Sequence, residues 1–150
     1  MSAKKTRATL HVLFDTNSIL ASGFENIVSK KAADAIKDHS RHGDLDIIWI
    51  LPEVVKMERE YQMRNDFRHV LKPTKQAESL FEADWNVSQD RINDAIEARI
   101  RAQLSELKLS VMACDSSNVD WASLTRNSAF RLPPFQAGDT EKGFRDALYV

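Results

Sequence analysis

The sequence predicts an α/β fold built on a parallel sheet, and three features point to it. Leu10–Phe14 is a short apolar run ending in Asp15, and Leu45–Leu51 is a second, bounded by His42-Gly43-Asp44 and Pro52. Helical periodicity fills most of what lies between and after them. Strand, helix, strand and then several helices is the order of a parallel sheet with crossover helices. With 150 residues, 43% hydrophobic, four glycines and four prolines, the chain suits one domain over residues 1–150 with a substantial core.

Leu10–Phe14 reads as a strand buried on both faces. Ser29 caps a helix that reaches His39, with Ala32, Ala33 and Ile36 on one side, and Gly43 ends that unit. Leu45–Leu51 is predicted as the second buried strand. Pro52 suits the first position of a long helix running to about Leu71, where Pro73 is expected to stop it, and a separate helical stretch follows from about Thr74 to Asp84. From Ser88 to about Leu107, Ile92, Ala95, Ile96, Ile100, Leu104 and Leu107 recur at three and four, the clearest amphipathic helix in the chain. Leu109–Ala113 is either a short extended segment or the frayed end of that helix. Asn118–Phe130 is weakly helical, Leu132–Phe135 is a loop, and Thr140 caps a final helix from about Glu141. Two firm strands make too small a sheet for a stable core, so a further strand is expected that this sequence does not carry.

Composition narrows the function classes. A formal charge of −1 excludes the strongly basic profile of a general nucleic-acid coat, so phosphate binding has to be local. Cys114 is alone, which excludes an internal disulfide and a CxxC metal site and suits a reducing cytoplasm. Met1–Thr9 is polar and basic with no secretory run, and no stretch has the length and apolarity of a membrane span. A cytoplasmic protein without a membrane partner is expected.

Three acids stand out. Asp15 sits where the first strand leaves the sheet, the edge at which ligands gather in open α/β folds, although an Asp there also serves as a helix cap. Glu58 has Val54 and Val55 one turn before it and Tyr61 one turn after, which places it on an inward face. A carboxylate there needs a partner, either another side chain or a metal. Glu53, Glu60 and Asp66 fall on more polar arcs and read as solvated charges. Asp146 has Gly143 one turn before it and Val150 one turn after, allowing close approach to the sheet; its plainer reading is a surface ion pair with Lys142.

Phe14-Asp15-Thr16-Asn17-Ser18 and Lys142-Gly143-Phe144-Arg145-Asp146-Ala147-Leu148 together resemble the PIN-domain ribonuclease family, in particular a PIN-like branch with this second signature. Leu51–Glu58 is similar to the family's segment with its second acid, and Pro133-Pro134-Phe135 resembles the loop before its third. The resemblance spans about Leu10 to Val150. It implies a PIN-like parallel sheet flanked by helices in three α/β/α layers, and metal ligation by Asp15, Glu58 and Asp146. It also implies that Asn17 or Ser18 orients Asp15 or a water on the metal. The family places one more acid after a further central strand; neither occurs before Val150, so the C-terminal part of the sheet is expected to be incomplete.

The chemistry implied is metal-dependent hydrolysis of RNA phosphodiesters. Three carboxylates within about 5 Å of one another repel by several kcal/mol per pair at an effective dielectric of about 20, which a divalent cation would offset. Hard oxygen ligands select Mg²⁺ or Mn²⁺. Lys142 and Arg145, within a turn of Asp146, either bind phosphate or remain solvated. Between Lys56 and Lys75 six basic residues face three acidic ones, and Arg64, Arg68 and Lys72 form a stripe at i+4 spacing that suits either an RNA backbone or solvent. Glu78–Glu97 is acidic and should repel nucleic acid. The expected partner is single-stranded or structured RNA, with a homo-oligomer or protein partner at the sheet edge. The competing reading is a catalytically incomplete PIN-like module that binds RNA or a protein. A phosphatase with Asp15 as nucleophile fits less well, because Asp15-Thr16-Asn17 lacks the second acid of an Asp-x-Asp pair.

Overall fold

The computed structural model describes residues 7–19, 25–41, 44–133 and 135. The helix expected after Thr140, with Lys142, Arg145 and Asp146, lies outside them, as does His42. The chain divides into two compact units, Met1–Met112 and Ala113–Val150. The first holds strand β1 (Ala8–Leu13), helices α1 (Thr16–Ile19) and α2 (Lys30–His39), strand β2 (Leu45–Pro52), helices α3 (Glu53–Leu80) and α4 (Gln89–Glu106), and strand β3 (Ser110–Met112). The second holds a 3₁₀ turn (Ser116–Asn118) and helix α5 (Trp121–Phe130).

The three strands form a parallel sheet in the order β1-β2-β3, flanked by helices. Leu10 pairs with Ile47 and Val12 with Trp49, while Leu51 pairs with Val111. β3 falls inside Leu109–Ala113, which the sequence leaves open between extended chain and the frayed end of α4. Phe14, Trp49 and Leu51 belong to the core face; the Phe14 ring stacks on Trp49 with centroids 5.5 Å apart. Leu51, Met63 and Ile100 are fully buried there, each contributing about 1.5–3 kcal/mol of apolar burial.

Neither of the first two strands is buried on both faces as expected. Among the described strands β1 pairs only with β2, and its Leu10 and Leu13 remain half exposed. β2 alternates, with Asp46 and Ile48 outward and Leu51 buried. A run of apolar letters reports composition, whereas coverage of each face depends on neighbouring layers.

The break expected at Pro73 is also absent. α3 runs unbroken through Pro73, 28 residues from Glu53 to Leu80. A helical proline deprives the carbonyl four residues back of its donor, here that of His69 on an exposed stretch where water can serve it. Thr74 Oγ1 donates to the Val70 carbonyl at 2.9 Å, a second bond to the acceptor that its own amide faces. The caps follow expectation more closely: Ser29 accepts from Ala32 N, and Ser88 from Arg91 N. Asp115 and Asp120 likewise cap the 3₁₀ turn and α5, by accepting from Ser117 N and Ser123 N. The Ser117 hydroxyl, 2.6 Å from Asp115 Oδ1, and then the Ser117 amide hold the Asp115 carboxyl below its usual range, and the Ser123 amide does the same for Asp120. No described helix is long and apolar enough to cross a membrane.

The segment entering α2 is fastened from two helices. Arg59 of α3, 3% exposed, donates from Nε to the Asn26 carbonyl at 3.1 Å and from Nη1 to Gln62 Oε1 at 3.0 Å. Gln103 of α4 accepts from Ile27 N at 2.7 Å and donates to Asn26 Oδ1 at 2.6 Å. Ile27 is thereby sealed into the core, and Ser29 N donates to the Ile19 carbonyl at 2.9 Å, tying the segment to α1. Burial pulls the Arg59 guanidinium below its ordinary value while Asp66 opposes the shift. Arg59→Ala should lower unfolding free energy by about 2–3 kcal/mol, through a buried carbonyl left without its donor, as read from guanidinium chloride denaturation.

Candidate active site

Parallel pairing brings the carboxyl ends of β1 and β2 to one edge of the sheet. The Phe14 amide extends the ladder by donating to Ile50 O at 3.0 Å, so Asp15 is the first residue clear of the strand. β2 runs straight into α3, and Glu58 follows one and a half turns later.

Asp15 does act as a cap. Its Oδ2 accepts from Asn17 N at 3.2 Å, and its carbonyl accepts from Ser18 N at 3.0 Å and Ser18 Oγ at 2.6 Å. Asn17 thus contributes its backbone amide to the Asp15 carboxylate, whereas the Ser18 hydroxyl reaches the Asp15 backbone. The cap holds the carboxylate against a one-turn helix at the sheet edge, and Asp15 itself remains exposed.

Glu58 is half buried, and its Oε2 accepts from Thr16 Oγ1 at 2.9 Å. Across 42 residues of sequence, this bond joins the turn carrying Asp15 to the helix carrying Glu58. Thr16 was not singled out in the sequence; the one available signal was its place directly after Asp15. Tyr61, expected to share the inward face with Glu58, is instead exposed, while Val55 is buried.

Glu60 corrects another expectation. It is half buried, and its carboxylate takes Arg64 Nη2 at 2.5 Å, Arg64 Nε at 3.0 Å and Lys56 Nζ at 3.4 Å. Burial pushes the Glu60 carboxyl up, but Arg64 and Lys56 outweigh it and hold the group below its usual value. Arg64, a candidate phosphate contact, is therefore engaged by Glu60, whereas Arg68 is exposed. Glu78 also departs from its place in an acidic solvent-facing run: it is buried, bound by Lys75 Nζ at 2.6 Å and by Trp85 N at 3.0 Å, and titrates below the ordinary range.

Asp15 and Glu58 offer hard carboxylate oxygens, the donor type that suits Mg²⁺ or Mn²⁺. Asp146, the third acid of the expected set, is outside the described residues; among those, no group of three or more His, Cys, Asp or Glu side chains is arranged to hold a metal. A family model of the PIN domain matches residues 12–150. The chain belongs to the PIN domain family. PIN domains are commonly nucleases, and they generally use divalent metal ions and bind RNA. No curated protein and no solved structure matches the chain. In this PIN domain the matched region takes in both Asp15 and Glu58, the two acids whose elements the Thr16 bond joins.

Thr16→Val should cost about 1–2 kcal/mol by leaving the Glu58 carboxylate without that donor, while Thr16→Ser retains most of the stability in urea unfolding. The depressed Glu60 and Glu78 carboxyls set a pH dependence: their stabilisation is complete above the ordinary value of 4.5 and disappears as pH falls through the lower folded-state values. The melting temperature should accordingly fall from about pH 5 downward, with a shallower fall in Glu60→Gln.

Proposed function

We propose that this PIN domain is an endoribonuclease that hydrolyses RNA phosphodiesters with Mg²⁺ or Mn²⁺ held by Asp15, Glu58 and Asp146. The observation that carries the reading is the Thr16–Glu58 hydrogen bond, which joins the turn of one strand-end acid to the helix of a second within a chain of this family. A divalent ion bound by these acids would supply Lewis-acid polarisation of the phosphoryl group and acidify a water. The chain's own residues supply orientation. Asn17 N and Ser18 hold the Asp15 turn, and Thr16 fixes one Glu58 oxygen, which limits the rearrangement needed when the carboxylates take up a cation.

Substrate contacts in this reading come from Arg68, Lys142 and Arg145, whose charge would bind phosphate and offset the charge that builds on it during cleavage. Arg64 joins them only by giving up Glu60. A cytoplasmic site of action belongs to the same proposal, since Cys114 needs no oxidising environment.

Purified protein should cleave single-stranded RNA with Mn²⁺ and lose the activity in EDTA. Asp15→Asn, Glu58→Gln and Asp146→Asn should each lower the rate by about 100-fold or more, the scale of losing one charge-stabilising group. Saturable RNA binding without cleavage under any divalent ion would overturn the enzymatic reading in favour of a binding module, and cleavage unchanged in all three variants would assign it to a contaminant.

A further inference from the structure

Two aromatic side chains carried by α3 and its C-terminal cap stand open to solvent, Tyr61 at 68% exposure and Phe81 at 67%, in opposite surroundings. Tyr61 follows Glu58 by one turn, Arg68 follows Tyr61 by two, and Lys72 extends the row by one more, so the four fall within about 80° of arc around the helix. Arg68 and Lys72 stand about 15 and 21 Å along the axis from Glu58. Phe81 packs instead on Trp85, with ring centroids 6.3 Å apart, beside the exposed Glu82 and Asp84.

The row is open as well as aligned. Among the described residues Tyr61 has no hydrogen bond or ring contact, and neither Arg68 nor Lys72 meets a carboxylate, though both are exposed. Other cations of α3 are engaged: Lys56 and Arg64 hold Glu60, and Lys75 holds Glu78. Of the acids in this stretch, Glu60 is neutralised by that pairing and Asp66 lies on the opposite side of the helix from Tyr61 and Arg68. An uncovered ring followed by two unpaired cations is the pattern that takes a base and then its backbone.

We infer that this side of α3 leads single-stranded RNA away from the proposed cleavage centre, with the Tyr61 ring stacked on a base beside the scissile phosphate and Arg68 and Lys72 on phosphates farther along. The inference rests on the nuclease reading for its substrate and names how that substrate is held. A base inside a duplex already has both faces covered, so a stacking ring selects unpaired strands. Phe81 offers an equally open ring, but its acidic neighbours repel phosphate.

The test is fluorescence anisotropy with the full chain in EDTA, which withholds the divalent ion and reads binding without cleavage. The probes are a labelled RNA dodecamer of mixed sequence, the same strand with every base removed, and the dodecamer annealed to its complement. The bare strand should lose about tenfold in affinity relative to the dodecamer, the worth of about one stacked base, and the duplex should lose as much. Tyr61→Ala should erase this preference with the melting temperature unchanged, Tyr61→Phe should keep it, and Phe81→Ala should leave it intact. Arg68→Gln with Lys72→Gln should weaken the dodecamer and the bare strand alike, and reduce the slope of log affinity against log salt by about 1.4. Absence of saturable binding, a base preference that survives Tyr61→Ala, or one lost equally in Phe81→Ala would overturn the inference. Tyr61-dependent binding by a chain that cleaves nothing under Mg²⁺ or Mn²⁺ would remove the nuclease reading and leave the RNA track standing. Cleavage by a chain whose binding ignores Tyr61 would do the reverse.

Discussion

The buried fastening of residues 25–27 by Arg59 and Gln103 is the constraint on which the first unit rests. The chain leaves β1 at Asp15, makes one helical turn and has to return to the base of β2, and a connection of that kind carries backbone groups that need partners wherever it is buried. Arg59 and Gln103 supply those partners from two different helices. Ile27 and Ile19 can then be excluded from water together, and the Ile19 carbonyl takes the Ser29 amide that opens the cap of α2. A guanidinium serves here because it keeps its charge when buried and offers several donors in fixed directions.

Three successive residues of α3 show how helix geometry divides labour. Each step turns about 100° around the axis, so neighbours in sequence face different surroundings. Glu58 meets the Thr16 hydroxyl, Arg59 enters the core toward residue 26, and Glu60 takes Arg64 and Lys56 on a half-covered flank. Thr16 ties the start of α1 to α3, and the Ser29 amide ties its last residue, Ile19, to the segment that Arg59 and Gln103 hold.

Signals that depend on nearest neighbours were legible in the sequence. Ser29 and Ser88 mark helix starts because a hydroxyl two or three residues from an open amide is a local geometry. Ile96 and Ile100 announce the inner face of α4 because a helical period survives in any environment. Pro73 is the converse case: its cost depends on whether water can reach the His69 carbonyl, and that depends on exposure. Tyr61 is exposed and Glu60 half buried, the reverse of what their angle around α3 suggests, because that angle says nothing about how far the neighbouring layer reaches.

The sequence by itself determined that a parallel α/β unit would form, where α2, α3 and α4 begin, and that Asp15 would stand at a strand end and Glu58 on the helix after the second strand. Tertiary structure decided which faces of β1 and β2 are covered, that Glu60 and Glu78 are paired below the surface, and that Thr16 reaches Glu58 across 42 residues. Caps and periodicity are energies of a few adjacent residues and leave their mark in the letters; burial and long-range hydrogen bonds arise only when distant segments meet.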